Sequence, residues 1–437
     1  MENELTKVEK RVLTFWGAVS TMPILTLFGN TWFTWMTLIM CAYYFFKECF
    51  FRTMKVKVNF YLVIFAISVF SSLACLISSM PQYWKDVQYK NIIWEILYLI
   101  VFFYFVSSKR NESTYYIKGI YYAAIIQVFW GFLQLLFHYV LKTELNDLLF
   151  RDLLHMQTRS LTQYKGSSIA LSGLCWNAGN LCALICIGYL LASRRILKFI
   201  FIVFSLLCGS RTLLLGIFVC VFGDLITTSF KGRVKIKKFN IIAAIGIAVV
   251  ILFVFALNKS LFELATNKID YIFNAFSSDF LNSQASSKVH SRYWKSIFDV
   301  TAWSGLFHSL FGWGSLCSGY PFSVIFNQYV GEQWVVECDY INRLWNFGYV
   351  GFFAWYGWYL LLMVKSIRLD KKYLVLFGAL LVEGITYNVI MEWSFMALLV
   401  IFTFIYKDIN LFEEFDSLMN KESPLLFFKK IIGKRHS

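Results

Sequence analysis

The distribution of apolar residues along this chain constrains its fold more than any other feature of the sequence. Apolar runs long enough to cross a bilayer fill most of the chain, but the pattern stops between Ala256 and Arg343 and then resumes. A membrane-spanning helix needs about 20 mostly apolar residues. The pattern therefore predicts a polytopic membrane protein with one large loop outside the membrane.

The composition agrees with a membrane protein. Of the 437 residues, 58% are hydrophobic and only 15% are charged, whereas soluble domains carry about 25% charged residues. The formal net charge of +15 would indicate nucleic acid as a partner for a soluble protein. Here the basic residues cluster in short segments between apolar runs, as in the cytoplasmic loops of membrane proteins. We therefore expect no nucleic-acid partner.

The apolar runs predict an all-α fold, a polytopic helical bundle of about 12 transmembrane helices with one large outer loop that itself contains helices. Two turn signals split longer runs, Gly29-Asn30 and the stretch 209–211. The predicted spans are 12–28, 31–46, 58–79, 91–108, 115–141, 173–192, 196–210, 212–229, 239–257, 344–364, 373–390 and 392–406.

The spans divide the chain into four parts. Residues 1–257 form an N-terminal bundle of about nine spans, 258–343 form the large outer loop with the candidate site residues, 344–406 add about three spans, and 407–437 form a basic tail. Placing the N-terminus in the cytoplasm puts every basic cluster inside and the large loop outside, so both termini are predicted to be cytoplasmic. The polar first residues run into a span without a cleavage site, which predicts no removable signal peptide.

Two arginines are candidates for binding an anion. Arg211 follows Gly209 and Ser210 in a short outer turn, where positive residues are disfavoured. Arg292 lies in the outer loop at the predicted start of a helix. A guanidinium is a rigid donor fork suited to bidentate contact with phosphate. The alternatives are an interfacial, snorkelling Arg211 and an ordinary surface Arg292.

Two carboxylates, Glu337 and Asp339, stand just before a predicted span. Carboxylates at such a position either cap the helix N-terminus or act as a general base at the rim of a cavity. Within the same loop, Gly312-Trp313-Gly314 would let the backbone approach a ligand closely. That motif is not a dinucleotide fingerprint, because no strand–helix unit surrounds it.

The cysteines leave one question open, and they give no metal site. Cys317 and Cys338 share the large loop, and they either pair in an oxidising compartment or stay as two thiols. The chain has no CxxC or HExxH spacing. We therefore predict no metal and no cofactor.

Taken in order, these motifs resemble the polysaccharide polymerases of the Wzy type and their relatives, the O-antigen ligases. Members of this family have about a dozen spans, a serine–arginine turn between two middle spans, and a long outer loop with an arginine helix, a glycine turn and a polar pair before a glycine-containing span. The corresponding residues here are Ser210-Arg211, Arg292, Gly312-Trp313-Gly314, and Glu337 with Asp339 before Gly348 and Gly351. Leu171–Asn177 is similar to the family's start of a middle span, with Ala178 in place of its proline.

The resemblance implies a membrane glycosyltransferase of the bacterial cytoplasmic (inner) membrane. It would polymerise undecaprenyl-pyrophosphate-linked oligosaccharide repeat units into surface polysaccharide, O-antigen or capsule, at the outer face. The lipid-linked oligosaccharide would be both donor and acceptor, membrane lipid would surround the protein, and a chain-length regulator is a further expected partner. Arg211 and Arg292 would bind the pyrophosphate, with Asp339, preferred, or Glu337 as the base. Other loop residues are candidate contacts for the glycan or a second pyrophosphate: Lys165, Arg159, Tyr293, Trp313 and Tyr340.

Two other functions are open from the sequence. An O-antigen ligase would transfer the glycan to lipid A-core, but ligases usually carry a histidine where this chain has Glu337, eleven residues before Gly348. A flippase or transporter of lipid-linked oligosaccharide can also have twelve spans, with charges lining a central cavity. Glu383 and Glu392, in or beside the last spans, are the residues that most resemble those of a transporter.

Overall fold

The computed structural model describes residues 5–21, 43, 60–71, 80–107, 110–155, 163–165, 168–175, 178–229, 285–326, 336–388 and 394–421. Of the described residues, 82% are helical, which confirms the all-α class. One short hairpin departs from that class: β1 (Gln163–Lys165) pairs antiparallel with β2 (Ser168–Ala170). The apolar pattern of the sequence predicts no strand there.

The helices fall into three groups along the chain. The N-terminal part contains α1 (Lys7–Thr21), α2 (Phe60–Phe70), α3 (Gln82–Ser107), α4 (Arg110–Leu136), α5 (Cys182–Leu191), α6 (Arg195–Leu207) and α7 (Arg211–Ser229). The region predicted to be the outer loop contains α8 (Ala285–Trp303), α9 (Gly305–Phe311) and α10 (Gly319–Ile325). The C-terminal part contains α11 (Asp339–Ser366), α12 (Lys371–Glu383), α13 (Ser394–Tyr406) and α14 (Leu411–Lys421). Two π-helical segments, Phe137–Leu141 and Asp147–Leu153, follow α4, and a 3-10 turn, Ala178–Leu181, precedes α5.

Within the described ranges, two helices have the length and apolar composition of a membrane span, Glu112–Leu141 and Asp339–Ser366. Cys182–Leu191 and Ala397–Tyr406 are apolar but shorter. These helices point weakly to association with a membrane, and the number of twelve spans stays a prediction. Apart from Tyr43, the predicted spans 31–46 and 239–257 lie outside the described residues.

One predicted helix boundary is confirmed, and another is wrong. The break between two middle spans was predicted at 209–211, and α6 ends at Leu207 before α7 begins at Arg211. The predicted span 173–192 is wrong in its first half. Residues 171–175 are not helical, and α5 begins only at Cys182.

Glycines let α1 and α4 pack with their backbones in contact. A Cβ on Gly17 would overlap the carbonyl of Tyr116, and a Cβ on Gly119 would overlap the carbonyl of Thr14. Small residues at such crossings permit close helix approach, as in many membrane bundles. Trp16 fills the space beside this crossing, with its ring 5.0 Å from that of Tyr116.

Helix α11 connects several others through aromatic contacts. Trp358 stacks on Phe65 of α2 at 4.5 Å and meets Phe102 of α3 edge-on at 5.6 Å. Tyr359 meets Phe377 of α12 edge-on at 4.5 Å. These rings are buried, so this face of α11 packs into the described bundle.

Basic side chains mark one end of the bundle. Lys198 at the start of α6 bonds Asp224 near the end of α7 at 2.6 Å, and Lys365 near the end of α11 bonds Asp408 at 3.1 Å. We call this end, defined by Lys198, Asp224, Lys365 and Asp408, the basic end. The starts of α7 and α11 lie at the opposite end, because α6–α7 and α11–α12 are hairpins, and we call this the site end.

Candidate functional site

The turn before Arg211 is built to start a helix. Gly209 has a φ of +78°, a left-handed conformation that glycine adopts without steric cost. The Ser210 hydroxyl accepts a hydrogen bond from the Leu213 amide at 3.3 Å and so caps the N-terminus of α7. Arg211 is the first residue of this helix and is half-buried. The predicted serine–arginine turn is therefore a helix start with its cationic side chain beside the helix dipole's positive end.

The strip 171–175 is held without helical hydrogen bonds by side chains of α4. The Gln134 side-chain oxygen accepts from the Gly173 amide at 2.9 Å, and that of Gln127 accepts from the Leu174 amide at 2.7 Å. The Leu171 amide donates to the Cys208 carbonyl at 2.9 Å. This strip therefore supports the turn that carries Arg211 instead of beginning a span.

The two candidate carboxylates differ in exposure. Asp339 is buried, 1% exposed, and it is the first residue of α11, whereas Glu337 is exposed. The Asp339 amide donates to the Gly384 carbonyl at 2.9 Å, and a Cβ on Gly384 would lie 3.2 Å from the Asp339 carboxylate. A side chain at position 384 would therefore crowd this carboxylate. Both carboxylates keep polar or electrostatic partners in the structure.

One short segment joins the start of α7 to the start of α11. Thr212, next to Arg211, shares a hydrogen bond of 2.8 Å with Thr386. Asp339 bonds Gly384, two residues before Thr386. The stretch 384–386, which follows α12, thus holds two helix N-termini at the site end. Both termini carry partial positive charge, which favours an anion nearby.

A buried carboxyl group, that of Glu383, directly precedes this segment in the chain. Glu383 is 0% exposed, and one of its oxygens accepts a hydrogen bond of 3.2 Å from the Cys186 thiol. Its other oxygen has no hydrogen-bond partner among the described residues. Gly216 of α7 leaves the room for this carboxyl, since a Cβ there would overlap it.

The charges of Arg292 and Glu337 both act on the phenol of Tyr293. Tyr293 is buried, and its ring meets that of Phe322 at 5.1 Å. Burial raises the pKa of the Tyr293 hydroxyl well above its usual range; the negative charge of Glu337 raises it further, and the positive charge of Arg292 opposes this. The exposed Arg292 guanidinium lies 5.4 Å from the ring centre of Phe326. The predicted glycan contact at Tyr293 is thus a buried phenol on which both charged candidates act.

The motif Gly312-Trp313-Gly314 packs against α11 at the point where Gly348 interrupts that helix. Gly312 has a φ of +76° and Gly348 a φ of +64°, and a Cβ on either would overlap the other segment's backbone. The break at Gly348 frees two carbonyls from their helical partners. The Trp313 amide donates to the Trp345 carbonyl at 2.9 Å, and the Gly314 amide donates to the Asn346 carbonyl at 2.8 Å. The predicted close backbone approach is present, but it is made to the chain itself.

Buried amide side chains fasten the same loop to α11. The Ser318 hydroxyl donates to the Asn342 side-chain oxygen at 2.7 Å and accepts from the Val336 amide at 3.2 Å. The Asn346 side-chain amide also donates to Asn342 at 2.8 Å. The loop that carries Glu337 is therefore anchored before the helix begins.

Trp313 and Tyr340, two predicted glycan contacts, both stack on and hydrogen-bond to other residues of the protein. The Trp313 ring stacks on His308 at 3.6 Å, and its indole nitrogen donates to Ser304 at 2.9 Å. The Tyr340 hydroxyl donates to the Leu381 carbonyl at 2.6 Å, and its ring stacks on Tyr356 at 5.2 Å. These contacts make both residues packing elements of the site end.

The remaining loop candidates are placed in part. The backbone of Lys165 lies in β1, its side chain is outside the described part, and Arg159 is not among the described residues. Cys317 and Cys338 are both buried free thiols. Burial raises the pKa of the Cys338 thiol to about 12, so at neutral pH it is not a thiolate nucleophile.

Sequence reasoning missed Arg343. It is 2% exposed, and its guanidinium carbon lies 4.6 Å from the ring centre of Phe347 and 4.3 Å from that of Trp355. Among the described residues its buried Nε has no hydrogen-bond partner, and its side chain forms no ion pair. The predicted span began at 344, which put this arginine in the loop. Counting the helix from Asp339 would have placed it one turn inside.

No family model matches this chain, and no curated protein matches it either.

Proposed function

We propose that this protein is a membrane glycosyltransferase that polymerises undecaprenyl-pyrophosphate-linked oligosaccharide repeat units into surface polysaccharide. The observation that carries the proposal is the meeting of two distant motifs at the site end. Arg211 and Asp339 start two different helices, and the same segment, 384–386, bonds the residues at both starts. The likeness of the motifs to Wzy-type polymerases supplies the reaction type.

The proposed donor is a growing glycan on undecaprenyl pyrophosphate, and the acceptor is one repeat unit on the same lipid. The acceptor hydroxyl attacks the donor's anomeric carbon, the bond from that carbon to the pyrophosphate oxygen breaks, and undecaprenyl pyrophosphate leaves. The pyrophosphate gains negative charge as it leaves. Arg211, at a helix N-terminus, and Arg292, exposed on the loop, are the cations proposed to stabilise that charge without a metal.

We assign the general base to Glu337 in preference to Asp339, which the sequence had favoured. A base must come within hydrogen-bond reach of the acceptor hydroxyl. Glu337 is exposed, and its charge acts on the phenol of Tyr293, the chain neighbour of Arg292, whereas Asp339 is buried at the start of α11. In this assignment Glu337 takes the hydroxyl proton, and Asp339 positions the helix start through the segment 384–386.

One base and no enzyme nucleophile imply a single displacement that inverts the anomeric centre. A defined lipid-linked repeat unit of known configuration tests this directly. The new linkage should have the opposite configuration at the donor's anomeric carbon. Retention of configuration would rule out the single-displacement mechanism.

One observation favours a second candidate, a transporter of lipid-linked oligosaccharide. The wholly buried Glu383 has an oxygen without a hydrogen-bond partner in the described part of the chain, as polar residues on a transport path have. The two functions differ in phenotype. Loss of a polymerase leaves single repeat units at the outer face, whereas loss of a flippase leaves them at the inner face.

The decisive experiment is gel analysis of surface polysaccharide in a strain that lacks this protein, complemented at matched expression. Variants Arg211→Ala, Arg292→Ala and Glu337→Gln should give only single-repeat product, while wild type gives a ladder. Removal of one such cationic donor typically costs about 2.7–4 kcal/mol, or roughly 10²–10³ in rate. Arg368→Ala, an exposed arginine that follows α11, is the matched control and should keep the ladder. A normal ladder from both Arg211→Ala and Arg292→Ala would contradict the proposed site.

A further inference from the structure

We propose that the outer-loop helices α8 and α9 insert an apolar surface into the lipid leaflet beside α11. This surface, which we call the α8–α9 apolar surface, consists of Trp294, Phe298, Leu306, Phe307 and Leu310. The inference rests on the membrane embedding that is part of the proposed function. It gives a lipid-binding role to a region in which the sequence predicted only substrate contacts.

The exposed side chains of α8 separate into two stripes. Tyr293, Ser296 and Val300 are buried against the protein. Arg292, Lys295 and Asp299, spaced three and four residues apart, are exposed on one side of the remaining surface. The apolar Trp294 and Phe298 are exposed on the other side, with Phe298 77% exposed.

This arrangement is typical of a helix that lies at a membrane interface. Such a helix keeps charged residues toward water and lipid headgroups, and it turns aromatic and aliphatic residues toward the acyl chains. A loop helix surrounded by water would not gain from an exposed phenylalanine beside a charged stripe. The two stripes therefore indicate a boundary between water and lipid along α8.

Helix α9 continues the apolar stripe beyond a fixed corner. Gly305 turns the chain with a φ of +71°, and the Ser309 hydroxyl donates to the Thr301 carbonyl at 2.7 Å, which ties α9 to α8. Leu306 on α9 is 80% exposed, and Phe307 and Leu310 are also exposed. The turn at Gly305 and this hydrogen bond fix the direction of α9, and with it the outward position of these side chains.

The α8–α9 apolar surface adjoins the exposed face of the longest apolar helix of the site end. Leu310 and Phe311 of α9 pack against Gly348 of α11 with backbone in contact. Immediately after that crossing, Val350 and Phe353 of α11 are exposed, Phe353 by 67%. Helix α11 has the length and apolar composition of a membrane span. Phe353 follows this crossing by little more than one turn, so in this proposal the lipid that covers Phe353 also covers α9, and the occupant is the bilayer.

The proposal also sets the depth of Arg292. If Phe298 lies among acyl chains, the charged stripe of the same helix lies at the headgroup level. The phosphate groups of lipids lie at that level too. Arg292 would therefore meet a lipid-linked pyrophosphate without the substrate leaving the membrane.

The test uses the full chain in nanodiscs, with one small fluorescent amino acid introduced by amber suppression in each variant. Probes at positions 298 and 306 report the α8–α9 apolar surface. A probe at 353 is the lipid control, and a probe at 299, on the charged stripe of α8, is the water control. Brominated acyl chains quench a probe in the leaflet, and iodide in the buffer quenches a probe in water.

We expect the losses of fluorescence at 298 and 306 to match the loss at 353 in brominated lipid, with 299 quenched by iodide. Iodide quenching at 298 and 306, with 353 still quenched by lipid, would overturn this inference and leave the membrane embedding intact. Iodide quenching at 353 would contradict the embedding of α11 and with it the inference. Protection of 298 and 306 from both quenchers would show that protein covers the surface, which also overturns it.

Discussion

The two ends of the bundle are held together by different kinds of interaction. At the basic end, cations face carboxylates: Lys198 bonds Asp224 at 2.6 Å and Lys365 bonds Asp408 at 3.1 Å. At the site end, backbones cross at Gly312 and Gly348, and the buried Arg343 lies between two aromatic rings with no ion pair among the described residues.

The difference shows where stability and function compete. Ion pairs near water contribute little free energy but compensate each charge. A buried cation without a carboxylate is costly, even with a cation–π contribution of about 2 kcal/mol. Arg343 is such a cation, and it lies one turn inside the helix that starts at Asp339, an arrangement suited to binding an anion. Substitutions at the two ends should therefore have unequal effects.

The largest effect is expected from Gly348→Ala. Gly348 has a φ of +64° and a ψ of −173°, a region that is essentially restricted to glycine. The strain alone costs about 1–3 kcal/mol, and the new Cβ would also displace the backbone of Leu310. We expect loss of monodisperse protein on size-exclusion chromatography in detergent.

The control for that substitution is Gly357→Ala in the same helix. A Cβ there meets nothing within 4 Å, and alanine stabilises a helix interior by about 0.5–1 kcal/mol relative to glycine. A Gly348→Ala protein as stable as the Gly357→Ala protein would show that the crossing with α9 is not needed for the fold.

The next effect separates the two carboxylates. Glu337→Gln should lower the polymerisation rate by about 10²–10⁴-fold, the usual contribution of a general base, without a change in the thermal unfolding midpoint. Asp339→Asn should instead lower stability by about 0.3–2 kcal/mol, because a buried carboxylate at the start of α11 interacts with the helix dipole. The opposite pattern would make Asp339 the base.

A third substitution tests whether the buried cation is kept for function. Arg343→Met removes the charge and preserves most of the side-chain volume between Phe347 and Trp355. Replacement of buried charges by apolar side chains is often neutral or stabilising by about 1–4 kcal/mol. We expect a raised unfolding midpoint and a lower polymerisation rate. Unchanged polymerisation in a stabilised variant would assign Arg343 a structural role only.

At the basic end, Lys198→Met should cost about 1 kcal/mol or less, as ion pairs near the surface do. Asp224 is only partly exposed, so adding Asp224→Leu should recover part of the loss by removing the carboxylate that has lost its lysine. Denaturation of the single and double variants measures this coupling. A cost as large as that of Gly348→Ala would remove the contrast between the two ends.

The smallest effect concerns pH at the site end. Burial lowers the pKa of the His308 imidazole below its ordinary value near 6.5, although its hydrogen bond to the Gly312 carbonyl opposes this. Between the two pKa values the folded state binds fewer protons than the unfolded chain, so stability present above about 6.5 is lost as the pH falls from that value through the lower pKa of the folded state. His308→Gln should flatten this dependence in thermal unfolding. An identical pH profile for both proteins would exclude His308 as its source.

The sequence predicted the parts of the site that local patterns determine. The Gly209–Arg211 turn interrupts an apolar run, and the structure ends one helix and starts another there. It could not predict the strip 171–175, because its amides are satisfied by Gln127 and Gln134, about forty residues earlier in the chain. Such side-chain partners leave no local signal in apolar periodicity.

Contacts between distant segments also decided the roles of single residues. Glu337 and Asp339 look alike in sequence, and only the contact of Asp339 with Gly384 separates the buried carboxylate from the exposed one. Trp313 is indistinguishable in sequence from a sugar platform until His308 is found stacked on it. Arg343 was missed because hydropathy marks where an apolar run starts, whereas the helix starts a turn earlier at Asp339.

The break at Gly348 divides α11 mechanically. Its first nine residues carry Asp339 and Arg343 but are joined to the rest of the helix through a glycine in a non-helical conformation. The amides of Trp313 and Gly314 couple those residues to the outer loop instead. The longer part of α11, after Gly348, makes neither of these two bonds. The hydrogen bonds of Trp313 and Gly314 thus connect that loop directly to the part of α11 that carries Asp339 and Arg343.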